Sequence, residues 1–268
     1  MAEQDFVDAS RLFDLRGKSA IVTGAARGIG RAVAEGLASV GVSVTLADML
    51  EDQLEATRQA IVDCGHRGIA VKTDICKPED REALLRQTIA AFGRVDILVN
   101  VAGITRGAPS EAYPDEDWDR TLAVNLSAMF RLCKLVAQDM IPRRAGAIIN
   151  VSSIGGALGF PNNPAYQASK SGVLGLTRAL ATDWAKYNIR VNTICPGYTH
   201  TDMTDASFRN PRTNAARATR TIMNRWGDPA EMVGPVIFLA SDAASYVTGI
   251  ELFVDGGWNS AGLTEWQL

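Results

Sequence analysis

Ser19-Ala20-Ile21-Val22-Thr23 runs directly into Gly24-Ala25-Ala26-Arg27-Gly28-Ile29-Gly30, and a helical pattern follows from Arg31 to Ser39. The first five residues are small, apolar or β-branched and read as a buried strand. Val33, Leu37 and Val40 then recur at helical spacing. A strand, a glycine turn and a helix in that order open a βαβ unit. The glycines allow backbone N–H groups to approach a phosphate at the helix N-terminus. Their spacing departs from Gly-x-Gly-x-x-Gly, so on its own the turn is either a phosphate cradle or a tight packing turn.

The same alternation extends outward. Further strands are expected at Val42 to Ala47, Gly68 to Thr73, Val95 to Val99, Ala147 to Val151, Ile189 to Ile194 and Ile250 to Val254. Between them lie a helix marked by Leu54, Ile61 and Val62, one from Pro78 to near Gly93, and one from Trp118 to Met140 stopped by Pro142. Pro164 to Tyr187 and Pro229 to Ala240 complete the set. Near-continuous apolar strands that alternate with helices predict an α/β fold. Right-handed crossovers lead to a single doubly wound, Rossmann-type domain with a seven-stranded parallel sheet. It spans 15–258, between tails at 1–14 and 259–268. The stretch 201–226 breaks the rhythm and reads as a lid or binding loop.

Composition narrows the classes. The 268 residues are 47% hydrophobic and 21% charged, with a net charge of −3. Disorder is excluded, and no basic footprint for nucleic acid is present. No apolar run approaches a membrane span. Glu3, Asp5, Asp8 and Asp14 occupy a start that has no apolar signal region. With only His66 and His200, a histidine-based zinc site is disfavoured and no metal is expected. Cys64, Cys76, Cys133 and Cys195 lack Cys-x-x-Cys spacing and read as reduced residues of a cytoplasmic protein.

Asp48 stands at the end of the second strand, 18 residues beyond Gly30. There a carboxylate would meet the ribose hydroxyls of a dinucleotide and repel a 2′-phosphate, which favours NAD over NADP. Arg27 argues mildly the other way, since it could pair with that phosphate. Alternatively, Asp48 caps the helix from Glu51.

Tyr166 and Lys170 share one helix face, one turn apart. Such a pair arises by chance in many chains, so its surroundings carry the case. A phenol has a pKa near 10, and accepting a proton from an alcohol at neutral pH requires lowering it by about three units. A nearby ammonium and a cationic ring supply that kind of shift. Ser153 lies just past the fifth strand, and ligands of open α/β sheets bind at the carboxyl ends of strands. Ser153, the start of the Tyr166 helix and the glycine loop should therefore border one crevice.

Together these motifs resemble the short-chain dehydrogenase/reductase family over roughly residues 15 to 258. Thr23 to Gly30 is similar to its cofactor loop, and Asn100-Val101-Ala102-Gly103 to its Asn-Asn-Ala-Gly segment, with Val101 replacing the second Asn. Ser153, Tyr166 and Lys170 match its catalytic residues, Asn125 its fourth, and Pro196-Gly197 with Thr201 its nicotinamide-side segment. The resemblance implies that Tyr166 is the general acid/base, that Lys170 lowers its pKa and holds the ribose, and that Ser153 orients the substrate oxygen. It implies that Asn125 supports a water linking Lys170 to solvent, where the plain alternative is a polar residue at a helix kink. It places the dinucleotide on Gly24, Arg27, Gly28, Ile29, Gly30, Asp48, Asn100, Ala102 and Gly103. It adds Tyr166, Lys170, Pro196, Gly197, Thr199 and Thr201. Asp74 and Ile75 match adenine contacts, although Asp74 serves equally as a helix cap.

Thr105, Ile154, Phe160, Asn163, Tyr198, His200 and Met203 are the candidates for the substrate wall. His200 lies beside the expected nicotinamide site, but a solvent-facing loop residue is the plainer reading. Stretch 201–226 carries Arg209, Arg212, Arg217, Arg220 and Arg225 against Asp202 and Asp205. That excess attracts an anion or is simply a solvated face. The expected activity is oxidation of a small polar alcohol, such as a sugar or polyol, with NAD. The alternatives are a 3-oxoacyl reductase and a dinucleotide sensor that lost catalysis. Homotetramers are common in the family, and Trp258, Trp266 and Leu268 near the end suggest a partner surface.

Overall fold

The computed structural model describes residues 8–263. Seven parallel strands form one sheet in the order β3-β2-β1-β4-β5-β6-β7. They are β1 Ser19–Thr23, β2 Ser43–Asp48, β3 Gly68–Lys72, β4 Ile97–Asn100, β5 Gly146–Val151, β6 Ile189–Pro196 and β7 Glu251–Val254. The helices are α1 Ala9–Leu12, α2 Gly28–Ser39, α3 Glu51–Asp63, α4 Pro78–Phe92, α5 Asp115–Leu122, α6 Met129–Arg143 and α7 Pro164–Trp184. They are followed by α8 Asp205–Arg209, α9 Pro211–Ala218 and α10 Val233–Ala240. The strand order reverses at β1, where Thr23 lies opposite Ala47 on one side and Asn100 on the other. That reversal opens a crevice beyond the strand ends.

Alternation along each strand feeds two cores. Ala20 and Val22 of β1 pack in one apolar cluster with Val33 and Leu37 of α2 and Val236 of α10. Ile21, between them, packs in the other with Leu84 of α4, Leu132 of α6 and Val173 of α7. In β4, Ile97 and Val99 join the first cluster and Leu98 the second. Both faces are covered, so no position on these strands needs to be polar. Each fully buried side chain of this size contributes roughly 1.5–3 kcal/mol.

A buried polar chain ties α7 to the sheet. Asn100 Nδ2 donates to Asn150 Oδ1 at 2.9 Å, Asn150 Nδ2 to Thr177 Oγ1 at 3.0 Å, and Thr193 Oγ1 to Thr177 Oγ1 at 2.8 Å. β4, β5 and β6 therefore hold one side of α7, the helix that carries Tyr166 and Lys170.

The expected fold is present, with local departures. The single helix from Trp118 to Met140 is two helices, α5 and α6, joined by a π-helical turn at Ala123–Ala128. Pro142 does not stop α6. It occupies the last turn, and the end comes at Arg144, whose φ is 51°. Strand four starts at Ile97 rather than Val95. There Asp96 accepts hydrogen bonds from Ser19 N, Arg94 Nε and Arg143 Nη1 at the lower rim of the sheet. Stretch 201–226 contains α8 and α9, and the first tail contains α1. Trp258 is buried against Phe160 and Tyr198 rather than exposed. Trp266 and Leu268 lie outside the described residues. No helix among the described residues is long and apolar enough to cross a membrane.

Candidate active site

A cleft of about 450 Å³ lies over the carboxyl ends of β1, β2, β4 and β5. The glycine turn forms one wall. Gly24, φ 69°, sits so close to the segment after β4 that an added Cβ would stand 2.9 Å from Ala102 N. Gly28, Ile29 and Gly30 line the cleft and form the first turn of α2. The N–H groups of a first turn have no acceptor within their helix. Asp48 ends β2 beside them. One carboxylate oxygen accepts from Ala26 N at 3.1 Å and the other from Leu50 N at 3.1 Å. It thus braces the glycine loop and the entry to α3 at once, while still lining the cleft. Unsatisfied helix N–H groups and a fixed carboxylate fit the pyrophosphate and ribose of a dinucleotide. Arg27 Nη1 pairs instead with Asp202 Oδ2 at 3.0 Å, which joins the glycine loop to the start of the 201–226 stretch.

The other end of the cleft holds Ser153, Tyr166 and Lys170. Ser153 caps the short 3₁₀ turn Ile154–Gly156, its Oγ accepting from Gly155 N at 3.0 Å, which fixes its rotamer. Lys170 is buried, and its Nζ donates to Val151 O at 2.9 Å. It stands 5.6 Å from the centre of the Tyr166 ring. Asn125 lies in the π-helical turn. Its Oδ1 accepts from Ile104 N at 2.8 Å, and its Nδ2 donates to Ile104 O at 2.9 Å and Ser169 Oγ at 3.1 Å. There its side chain is fully buried. Asn125 clamps the segment after β4 onto α7, one residue from Lys170, and both of its amide donors are used on protein groups.

Burial pushes the Tyr166 phenol above its ordinary value. Its hydrogen bond with Ser153 opposes that rise, and the Tyr198 phenol adds to it. Lys170 is itself pulled from 10.5 down to about 8 by burial. A folded pKa below the unfolded one means that the unfolded chain binds more protons between pH 8 and 10.5. The ammonium therefore penalises folding at neutral pH, and the penalty fades as pH rises through that window. Urea unfolding of wild type and Lys170→Met should show wild type gaining on the variant by up to about 3 kcal/mol between pH 7 and 10. A difference independent of pH contradicts the assignment.

Most of the expected contacts line this cleft: Gly24, Arg27, Asp48, Asp74, Ile75, Ala102, Gly103, Pro196, Gly197, Thr199, Thr201 and Met203. Asp74 does not cap α4, whose N-cap is Lys77. Its Oδ1 accepts from Cys76 N at 2.9 Å. Asn100 turns away from the cleft into the core, bonded to Asn150 and Cys133. Ile154 is buried beneath its turn. Thr105 accepts from Asn163 Nδ2 at 2.7 Å, and the two brace each other. His200 faces a separate groove with Arg31 and Arg209. There it stacks on Phe208 at 3.8 Å and approaches Asp205 at 3.2 Å. Phe160 and Tyr198 stand edge to face at 6.1 Å beside the reacting end. Arg120 and Leu50 also line the cleft. Nothing marked them in the sequence, because Arg120 sits on an acidic, exposed helix and Leu50 in a turn.

The family described as enoyl-(acyl carrier protein) reductase matches residues 24–259. The chain is 38% identical to 2-dehydro-3-deoxy-D-gluconate 5-dehydrogenase of Escherichia coli over 92% of its own length and 97% of the relative's. It is 42% identical to a 3-oxoacyl-(acyl-carrier-protein) reductase of Vibrio cholerae over 91% and 98%. The fold superposes with a TM-score of 0.91 on a gluconate 5-dehydrogenase from Burkholderia cenocepacia, solved with NADP and tartrate. That protein is 37% identical, and the match covers 95% of this chain and all of the other. Relatives that run nearly end to end along the chain, on a shared fold, lead to one assignment: the chain belongs to the short-chain dehydrogenase/reductase family.

Proposed function

We propose that the protein is an NAD-dependent dehydrogenase that interconverts a secondary alcohol and a ketone on a small polyhydroxylated substrate. One observation carries the reading. Ser153, Tyr166 and Lys170 occupy one end of a cleft whose other end is the glycine turn and Asp48. Tyr166 takes the hydroxyl proton in oxidation and returns it to the carbonyl oxygen in reduction. Ser153 Oγ–H donates to that same oxygen and holds it over the phenol. Lys170, anchored on Val151 O, places its charge beneath the ring and would hold the nicotinamide ribose. When bound, the nicotinamide supplies the hydride acceptor or donor and, oxidised, a positive charge that favours the phenolate. An intact Ser–Tyr–Lys set argues against a mere sensor. The free cysteines fit a reducing cytoplasm. Exposed Trp118 and Phe130 on α5 and α6 fit a homotetramer built on those helices.

Relatives named for gluconate and its derivatives support a polyhydroxylated substrate. A 3-oxoacyl reductase is the second reading, favoured by the identity to the Vibrio protein. Assays of alditols, aldonates and 3-oxoacyl thioesters with both dinucleotides separate them. Turnover of polyols or aldonates with NAD is expected, and activity confined to NADPH with acyl thioesters overturns the first reading. The Burkholderia structure holds NADP, so cofactor choice needs its own test. Asp48→Ala should lower the NAD-to-NADP ratio of kcat/KM by about tenfold or more, as a like-charge clash with the 2′-phosphate is lost. An unchanged ratio would leave Asp48 only its bonds to Ala26 and Leu50.

A further inference from the structure

Five arginines crowd the 201–226 stretch, and the structure divides them. Arg209 pairs with Asp205 at 2.7 Å, and Arg225 with Glu231 at 2.6 Å. Arg212, Arg217 and Arg220 enter no ion pair among the described residues; Arg212 is exposed, while Arg217 and Arg220 lie against aromatic rings. Arg217 is half-buried, and its guanidinium lies 4.1 Å from the centre of the Tyr198 ring and 5.5 Å from that of Trp226. Arg220 lies 5.9 Å from the Trp258 ring. A guanidinium stacked on rings keeps its edge donors free and pre-oriented for a carboxylate.

These rings lead to the reacting end of the cleft. Tyr198 packs on Trp258 at 5.1 Å and on Phe160 at 6.1 Å. A Cβ added at Gly155 would meet Ser153 Oγ and Tyr166 Cε1 at 3.5 Å and Phe160 Cδ2 at 3.8 Å. One aromatic wall thus runs from Ser153 and Tyr166 to two uncommitted positive charges. A guanidinium left without a carboxylate beside a catalytic pocket is poorly explained as a solvated face, since it has given up water on its ring side.

We infer that Arg217, with Arg220 beside it, binds the carboxylate of a substrate whose reacting carbon is held at Ser153 and Tyr166. The substrate is then a sugar acid, with its carboxylate several carbons from the reacting alcohol, and Arg217 is a specificity-determining residue. This inference rests on the polyhydroxylated-substrate reading.

The test uses aldonate–alditol pairs of four and six carbons, D-threonate with D-threitol and D-gluconate with D-glucitol. Wild type should favour the acid of its preferred pair by about tenfold or more in kcat/KM, and added salt should erode the preference. Arg217→Gln should raise KM for the acid by about 10- to 100-fold, the worth of a charge-assisted hydrogen bond. It should move kcat little and leave the alditol constants unchanged, and Arg217→Lys should recover part of the loss. If acid and alditol suffer alike, Arg217 only props the lid, and the inference falls. If wild type oxidises alditols as well as aldonates, the inference falls while the dehydrogenase reading stands. If only acyl thioesters react, the reading itself falls and the inference with it.

Discussion

Tyr166→Phe should lower kcat/KM by about 10²- to 10⁴-fold while the protein stays folded and binds dinucleotide. The substitution removes one oxygen and keeps the ring. Lys170 Nζ remains anchored on Val151 O, and Ser153 Oγ keeps its bond from Gly155 N. What is lost is a hydroxyl that combines two features, a position beside Ser153 and a buried ammonium 5.6 Å from its ring. A phenol with its pKa raised by burial holds its proton in the resting protein, so it is ready to act as an acid toward a ketone. In the opposite direction it must first be ionised, and alcohol oxidation should therefore rise with pH where ketone reduction falls. Loss of one hydrogen bond to Ser153 costs about 1 kcal/mol of stability, too little to unfold the protein. Steady-state rates, a thermal melt and NADH fluorescence together decide the matter. Full activity in the variant would remove Tyr166 from the chemistry.

The architecture was legible because it depends on composition over many positions. Strands buried on both faces, such as Ser19–Thr23, cannot afford a charged residue, and that constraint is visible in one chain. The cofactor end was legible for a related reason. A turn where an added Cβ would stand 2.9 Å from another backbone demands glycine, and glycine is conspicuous. What the sequence leaves open depends on partners distant in the chain. Asn100 looked like a ligand contact, but Asn150, 50 residues on, takes its side chain into the core. Asn125 reads as part of a water relay or as a polar residue at a kink, and it does lie in the irregular turn that joins α5 and α6. Its place in a π turn, set by the backbone of Ile104 and by Ser169, is invisible to periodicity. The lid arginines read as a bulk charge excess until their partners separated Arg209 and Arg225 from Arg217 and Arg220.

Gly30→Ala should weaken dinucleotide binding by about 10²- to 10⁴-fold and lower stability, although helix propensity alone predicts the opposite. Gly30 lies within α2, where alanine is favoured over glycine by about 1 kcal/mol. Packing reverses the sign. A Cβ at Gly30 would fall 2.0 Å from Gly24 O, 2.6 Å from Gly24 C and 3.2 Å from Ala25 N, all backbone atoms that no rotamer change can move. The turn has little room to move, because Gly24 itself packs so closely on the segment after β4 that an added Cβ there would stand 2.9 Å from Ala102 N. The overlap must be relieved by shifting the glycine loop or the start of α2. Either shift misplaces the first-turn N–H groups that would face the pyrophosphate, and each charge-assisted bond lost is worth about 1.5–3 kcal/mol. Overpacking itself costs about 1–3 kcal/mol, more than the propensity gain. Gly175→Ala is the control. It sits in α7 with nothing within 4 Å of its added Cβ, so only propensity acts, and it should raise stability by about 0.4–1 kcal/mol with binding untouched. Fluorescence titration with NADH and urea unfolding of both variants measure the contrast. If Gly30→Ala binds like wild type, the glycine turn yields more readily than its contacts require, and its fit to a phosphate loses its main support.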